Sequence, residues 1–450
     1  MKKGINITLI ALFLALSSCV KEDLALEEST LNKELHDALI AQSNDEGLAY
    51  FILPESDDFE NIPQDPNNPI NQAKVELGKL LFHESAIGSL PFYESSAETY
   101  SCASCHHAAA GFQANVSQGI GEGGIGFGSH GEGRIPSPNY SIDDLDVQPI
   151  RSPSILNGCY QEVMLWNGQF GATGANIGTE GQWVPGSIEE HNNLGFEGLE
   201  TQAIAGMKVH RMNLYSTFTD IYPEYANLFN EAYSYLPENQ RINNITAGLA
   251  MAAFERTVLA NESPFQKWLK GDFSAMSDSE KEGALLFFGK ASCSNCHTGP
   301  ALNKMEFHAL GMKDLDEIPG TYDTNDNEEE NLGRGGFTQN PEDNYKFKTP
   351  QLYNLKDSKF YGHGASFNSV EEVINYKNLG ISENTSVPDE ALSEDFHSLG
   401  LSAEEIKKIS LFVENALYDP NLSRYEPSSL PSGFCFPNND SESRQDLGCQ

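Results

Sequence analysis

The sequence predicts a mainly α-helical protein built from two similar units with long irregular loops. Three observations support this fold class. Strand signals are sparse along the 450 residues, apolar residues recur at helical spacing in several segments, and one short cysteine motif occurs twice, each time after an apolar segment of the same order. With 39% hydrophobic residues, the chain is long enough for two or three domains with real cores.

Residues 1–18 resemble a bacterial export signal. Two lysines precede an apolar run that is too short to span a bilayer. The tetrapeptide LSSC, which ends at Cys19, resembles a lipobox, in which the cysteine is lipidated and becomes the new N-terminus. We therefore expect a lipoprotein of the periplasm or cell envelope, anchored to a membrane at Cys19; the alternative is an ordinary signal peptide with a chance cysteine. Residues 19–69 then form a tether and an acidic lead-in.

The formal net charge of −37 restricts the partners. The phosphates of nucleic acids and of anionic membrane surfaces are repelled by such a protein, so we expect no nucleic-acid partner. A basic redox protein would be attracted. Simple solubility explains the charge equally well and does not exclude such a partner.

Four of the eight cysteines form two copies of the pattern C-x-x-C-H, CASCH at 102–106 and CSNCH at 293–297. Two thiols at this spacing can each add to one vinyl group of the same porphyrin, and the adjoining histidine can bind the iron. A zinc site or a redox disulfide explains one C-x-x-C but does not require the histidine. We therefore expect two covalently bound c-type haems. Their attachment residues are Cys102, Cys105, Cys293 and Cys296, and their proximal iron ligands are His106 and His297.

A weak internal repeat surrounds these motifs. The segments ELGKLLFHE at 76–84 and KEGALLFFGKAS at 281–292 share the order Gly-x-x-Leu-Phe, and each leads to a C-x-x-C-H motif. Their apolar residues recur at helical spacing, so we expect each to form a helix that packs on the haem that follows. This repeat indicates the duplication of a cytochrome c unit.

The repeat also predicts the domain organisation. We expect the first cytochrome c-like haem domain at 70–235 and the second at 240–425. A polar tail follows at 426–450, in which a disulfide between Cys435 and Cys449 would hold an otherwise loose end.

Several segments between about 72 and 420 resemble the bacterial di-haem cytochrome c peroxidase and MauG family. The family's Arg-Asn-x-Pro-x-Leu-x-Asn corresponds to RSPSILN at 151–157, its Phe-Trp-Asp-Gly-Arg to LWNGQ at 165–169, and its Leu-Glu-x-Gln-Ala to LETQA at 199–203. The resemblance implies an oxidoreductase of the cytochrome c peroxidase type. Such an enzyme reduces hydrogen peroxide at the first haem with electrons that a small redox protein, such as a cytochrome c, delivers through the second.

The resemblance also implies roles for individual residues. Trp166 would lie between the haems and assist electron transfer, and Gln202 would lie on the distal side of the first haem and hydrogen-bond peroxide. Tyr376, at the end of VEEVINY, stands where the family places the sixth ligand of the second iron, as in MauG. Met305 and Met312 are the rival ligands.

The chain departs from the family on the distal side of the first haem. The family's catalytic Glu, ten residues after the Gln, has no counterpart in MKVHRMN, where Arg211 precedes Met212. An arginine can stabilise developing negative charge but cannot accept a proton as a carboxylate does. His210, Glu197 and Glu200 are candidate bases, and the sequence leaves the choice among them open.

Two further family features are altered. The family's resting-state histidine ligand corresponds best to Glu122 in GIGEGG, so we expect an open first haem rather than one bound by His130. Ser152 replaces the asparagine near the family's interhaem calcium, which weakens the expectation of a calcium ion. Two alternative functions stay open: MauG-like oxidation of a protein or small-molecule substrate, and a non-catalytic di-haem electron carrier.

Overall fold

The computed structural model describes residues 30–325 and 328–449. The expected signal peptide, the lipid site at Cys19 and the start of the tether lie outside the described residues. Within the described ranges, no helix combines the length and the apolar character that a membrane span requires.

The fold is mainly helical, as the sequence predicts. Its α-helices are α1 (Thr30–Ala41), α2 (Gln72–His83), α3 (Gly198–Val209), α4 (Phe218–Ile221), α5 (Pro223–Ala232), α6 (Asn244–Thr257), α7 (Pro264–Leu269), α8 (Asp278–Phe288), α9 (Arg334–Thr338), α10 (Val370–Leu379), α11 (Ala403–Leu411) and α12 (Ser441–Leu447). The short strands are β1 (Gly124–Ile125), β2 (Ile135–Pro136), β3 (Lys304–His308) and β4 (Phe347–Thr349). β1 pairs antiparallel with β2, and β3 with β4. Single 3₁₀ turns and irregular loops connect these elements.

Local sequence signals define where the main helices begin. The side chains of Ser277 and Ser402 accept hydrogen bonds from the backbone N–H groups of Glu280 and Glu405, and each glutamate side chain reaches back to the N–H of its serine. These capping boxes satisfy N–H groups that have no partner inside the helix. α8 and α11 therefore start at positions that the sequence specifies.

The Gly-x-x-Leu-Phe repeat marks two equivalent helix crossings. α2 packs against α6, and a Cβ atom on Gly78 would lie 1.9 Å from the carbonyl oxygen of Ala250. α8 packs against α11, and a Cβ atom on Gly283 would lie 2.0 Å from the carbonyl oxygen of Lys408. In both halves the glycine allows two helix backbones to touch, which explains why this residue recurs.

The packing of the helices does not strictly follow the two domains expected from the sequence, at 70–235 and 240–425, which we call the first and second halves. α6 lies in the range expected for the second domain, yet it packs against α2 and α3 of the first. α1, in the acidic lead-in, packs against α8 of the second half. Almost every residue of α6 is buried, so this helix can cover two neighbours at once.

The polar tail returns to the first half. Cys435 and Cys449 form a disulfide. Beside it, the Ser101 hydroxyl, directly before the first C-x-x-C-H motif, donates a hydrogen bond to the Pro437 carbonyl oxygen at 2.9 Å. The tail therefore covers a motif that lies more than three hundred residues earlier in the chain.

Replacing the crossing glycines tests whether these two helix contacts stabilise the fold. Gly78→Ala and Gly283→Ala should each lower the free energy of unfolding by about 1–3 kcal/mol, because the new methyl group must push two backbones apart. Alanine has a higher helix propensity than glycine, so propensity alone predicts that both variants would have a higher free energy of unfolding. Thermal melting is the measurement. Gly181→Ala is the control, because nothing lies within 4 Å of its added Cβ atom.

Candidate haem sites

The first C-x-x-C-H motif forms a single tight turn. Cys102 begins a 3₁₀ turn that ends at Ser104, and the thiols of Cys102 and Cys105 are not in disulfides. The Nδ1 atom of His106 donates to the Phe112 carbonyl oxygen at 3.3 Å. This hydrogen bond fixes the orientation of the ring and leaves Nε2 available for a metal.

The second motif repeats this geometry. Cys293 begins an equivalent 3₁₀ turn, and Nδ1 of His297 donates to the Leu302 carbonyl oxygen at 3.0 Å. Burial lowers the pKa of both His106 and His297 to about 4. Both imidazoles are therefore neutral at neutral pH, which is the form that binds a metal.

A cavity of about 440 Å³ opens over the second motif. Cys293, Cys296 and His297 line it, and Trp166 and Arg151 of the first half close its other side. This volume lies in the range of cofactor pockets. Two free thiols at the required spacing, a neutral histidine and a mostly apolar cavity fit a haem.

The candidates for the second iron's sixth ligand occupy different places. Met312 lines the cavity. Tyr376 is not among the lining residues, and its hydroxyl donates to the Leu310 carbonyl oxygen at 2.6 Å. Met305 lines a separate cleft. Of these three side chains, only that of Met312 therefore faces the space over His297.

One face of α3 lies beside the first motif. Gln202, Gly206 and His210 follow each other at intervals of four residues and therefore share this face. The Gln202 Oε1 atom is buried and has no hydrogen-bond partner in the described structure. Apart from the His210 ring, nothing lies within 4 Å of the position of a Cβ atom on Gly206. His210 is close enough to His106 for its charge to lower the pKa of that ring, although burial is the larger cause of the lowering.

A carboxylate orients His210. Its Nδ1 atom lies 3.0 and 3.1 Å from the two carboxylate oxygens of Asp146, which is almost fully buried. Burial alone would lower the pKa of His210, but the charge and the hydrogen bond of Asp146 outweigh it and raise the pKa above its ordinary value. The sequence analysis did not identify Asp146 as a site residue, because it lies in an irregular loop 64 residues before His210.

The two rival bases are engaged elsewhere. Both oxygens of Glu200 accept hydrogen bonds from the buried guanidinium of Arg256, at 2.6 and 2.8 Å. Glu197 accepts a third hydrogen bond from it at 2.9 Å. Both carboxylates therefore compensate a buried positive charge.

Arg211 is also held in place. Its guanidinium forms an ion pair with the fully buried carboxylate of Glu122 and donates to the Asp144 carbonyl oxygen at 3.1 Å. The guanidinium therefore adds a positive charge beside His210 and Asp146. His130 is exposed at the tip of its loop, and its carbonyl oxygen lies 3.0 Å from the His107 ring.

The two halves meet in a reciprocal junction. The backbone N–H of Arg151 donates to the His363 carbonyl oxygen at 2.9 Å, and that of Lys348 donates to the Trp166 carbonyl oxygen at 2.8 Å. The ring centroids of Trp166 and His363 are 6.3 Å apart. The segments RSPSILN and KTPQLYN thus occupy equivalent places, and each half presents its aromatic ring to the other.

Two buried cations accompany this junction. Arg151 donates to Ser358 Oγ at 2.9 Å, and Lys348 Nζ donates to Gln161 Oε1 at 2.5 Å. In the described ranges neither cation has a carboxylate partner, and burial lowers the pKa of Arg151 to about 10 and that of Lys348 to about 7. Such uncompensated charge at the wall of the cavity favours a ligand with anionic substituents.

Comparison with known proteins agrees with this geometry. A family model described as di-haem cytochrome c peroxidase matches residues 72–274, which include the first C-x-x-C-H motif and the α3 face. Residues 72–274 are therefore similar to the di-haem cytochrome c peroxidase family. The chain's relatives include the methylamine utilization protein MauG of Methylorubrum extorquens, 27% identical over 363 residues, or 80% of this chain and 83% of that one. They also include the cytochrome-c peroxidase IdrP1 of a Pseudomonas species, 28% identical over 399 residues, or 83% of this chain and 88% of that one.

A solved structure shares the fold of this chain. It is a MauG-like protein associated with microbial copper homeostasis, with a TM-score of 0.57 and 22% sequence identity. The match covers 82% of this chain and 95% of that chain. The two proteins therefore share their overall fold.

Haem attachment can be tested one motif at a time. The double variants Cys102→Ala with Cys105→Ala, and Cys293→Ala with Cys296→Ala, should each lose about half of the covalent haem, because each pair holds one porphyrin. The pyridine haemochrome assay measures this content. Cys159→Ala, which removes a buried free thiol outside both motifs, should keep all of it. Full haem content in either double variant would contradict the assignment.

Proposed function

We propose that the protein is a di-haem peroxidase that reduces hydrogen peroxide to water with electrons from a small, basic redox protein. The observation that carries this proposal is the α3 face, on which the oriented His210 ring lies close to His106 of the first C-x-x-C-H motif and which also carries the unpartnered Gln202 oxygen. Covalently attached haem at both motifs would relay these electrons and supply the metal that binds peroxide. The protein's own residues handle the protons and the orientation.

Proton transfer falls to His210 in this proposal. The neutral ring accepts a proton from the bound peroxide and returns it to the oxygen that leaves as water. Asp146 holds the ring in one tautomer and stabilises its protonated form. Gln202 accepts a hydrogen bond from the peroxide hydroxyl, and the Arg211 charge stabilises the developing anion.

Electrons would enter at the second haem and cross the junction near Trp166. Its indole N–H donates to the Arg151 carbonyl oxygen at 2.8 Å, which holds the ring in the cavity wall between the halves. Calcium is not part of the proposal. Ser152 replaces the family's asparagine, and the buried side chains of Arg151 and Lys348 would repel a calcium ion at the junction.

We also propose export to the periplasm or cell envelope with a lipid at Cys19, since residues 1–18 resemble an export signal and LSSC resembles a lipobox.

Oxidation of another substrate, as the MauG relatives allow, is the second candidate function. A pure electron carrier accounts less well for a buried, unpartnered Gln202 oxygen on the helix face that also carries His210.

Turnover with hydrogen peroxide and reduced cytochrome c tests this function. His210→Gln should lower kcat/KM for peroxide by about 10²–10⁴-fold, because glutamine cannot accept the proton. The neutral ring is the active form, so the rate should fall as the pH falls through the His210 pKa. Asp146→Asn removes the charge that raises this pKa, while burial and the charge of Arg211 still lower it. The acid limb should therefore move to lower pH.

A matched pair elsewhere provides the control. His36 also lies beside a carboxylate, Asp37, at 3.3 Å, but on the exposed surface of α1. His36→Gln should leave the rate and the pH profile unchanged. Wild-type protein with full haem content and no peroxide turnover would refute the function; unchanged kinetics in His210→Gln would refute the acid–base role alone.

For the second iron we propose Met312 as the sixth ligand, with Tyr376 as the alternative that the family resemblance favours. Met312→Ala should abolish the absorption band typical of methionine bound to ferric haem and lower the potential of that haem. Tyr376→Phe and Met305→Ala should both leave the band in place. A new high-spin signal in Tyr376→Phe, with no change in Met312→Ala, would instead identify the phenolate as the ligand.

A further inference from the structure

Two tyrosines form a contact chain from a buried carboxylate to the surface of the first half. The Tyr140 hydroxyl donates to the fully buried carboxylate of Glu122. The ring of Tyr140 meets that of Tyr93 edge to face, with centroids 4.8 Å apart. The Tyr93 hydroxyl donates to Asp144 Oδ2 at 2.8 Å. Each phenol therefore has its own carboxylate as a proton acceptor.

The inner end of this chain reaches the first haem motif. A Cβ atom on Gly119 would lie 2.8 Å from Cys105 Sγ, so the backbone touches the motif at this glycine. Glu122 follows three residues later, which limits its distance along the chain to about 11 Å. Its carboxylate also pairs with Arg211, at the end of the α3 face. Tyr140 is thus connected through Glu122 to Arg211, beside the proposed peroxide site.

The outer end is an exposed apolar face. Leu90 and Phe92 are each 58% exposed, Ile142 is 53% exposed, and the ring of Phe92 lies 5.1 Å from that of Tyr93. Tyr93 itself is 38% exposed. Several large apolar side chains that stay in water around one oxidisable ring are typical of a surface that binds apolar molecules.

We propose that this face is a second reducing-substrate site, at which neutral phenols are oxidised through Tyr93 and Tyr140 at the expense of hydrogen peroxide. The inference rests on the peroxidase function proposed above. A neutral aromatic compound suits the face because it covers the apolar residues and avoids the repulsion that a chain of charge −37 exerts on anions.

The reaction balances with hydrogen peroxide as the oxidant. Each phenol loses one electron and its hydroxyl proton and becomes a phenoxyl radical, and two phenols reduce one hydrogen peroxide to two waters. Within the chain, Tyr140 passes its electron inwards while its proton moves to Glu122. Tyr140 then recovers an electron from Tyr93 and its proton from Glu122, while the Tyr93 proton moves to Asp144. The bound phenol gives one electron to Tyr93, Asp144 returns the Tyr93 proton, and the phenol's hydroxyl proton becomes one of the two that the peroxide takes up to form water. Burial and the Glu122 hydrogen bond raise the pKa of Tyr140 to about 12, so the phenol is protonated before each step.

Tyrosine-to-phenylalanine variants of the haem-loaded protein test the route. Tyr93→Phe should lower the rate of guaiacol oxidation by peroxide about tenfold or more and leave the oxidation of reduced cytochrome c unchanged, since that donor enters at the second haem. Tyr140→Phe should abolish the tyrosyl radical that electron paramagnetic resonance detects after freeze-quenching with one equivalent of peroxide.

Tyr235→Phe is the matched control. Tyr235 is 65% exposed, and its ring also lies next to a second tyrosine, Tyr233, at 6.1 Å. This variant should keep both the guaiacol rate and the radical. Normal guaiacol rates and an undiminished radical in Tyr93→Phe and Tyr140→Phe would overturn the inference. If wild-type protein turns over neither cytochrome c nor guaiacol, the peroxidase function itself has failed.

Discussion

The junction between the halves is the constraint on which the rest of the structure depends. Two backbone hydrogen bonds, from Arg151 to His363 and from Lys348 to Trp166, join equivalent segments across it. Because backbone groups make these bonds, they set the relative position of the halves independently of most side chains. They also fix the distance between the Trp166 and His363 rings. Electron transfer between two haems needs such a fixed spacing.

Duplication explains why the halves resemble each other, and divergence explains how they can differ in function. Each half has a glycine-mediated helix crossing and a histidine whose Nδ1 is bound by a backbone carbonyl. The two open sides are built differently. In the first half, Gln202 and His210 carry hydrogen-bonding groups on one face of α3, where we propose that peroxide binds. In the second, Met312 lines the cavity, and we propose it as the sixth ligand of the iron.

Buried charge is concentrated where the proposal places the chemistry. Asp146, His210, Arg211 and Glu122 form one connected group, in which each cation has a carboxylate partner. A buried pair of this kind is costly to assemble, and its benefit lies in fixed orientation more than in stability. The Arg256 clamp on Glu197 and Glu200 is a separate group that joins α3 to α6.

The sequence by itself determined the local features. Each of these features depends on residues a few positions apart: the C-x-x-C-H motifs, the capping boxes and the Gly-x-x-Leu-Phe repeat. They can therefore be recognised without knowledge of the fold. The mainly helical class followed from the same short-range patterns. The choice among His210, Glu197 and Glu200 could not be read in this way, since it depends on which groups Asp146 and Arg256 reach. Only the tertiary structure showed the partners of these three residues, on which our proposal of His210 rests. It also showed the packing of α6 and the separation of Tyr376 from the cavity, because contacts between residues far apart in the chain carry no signal in their spacing.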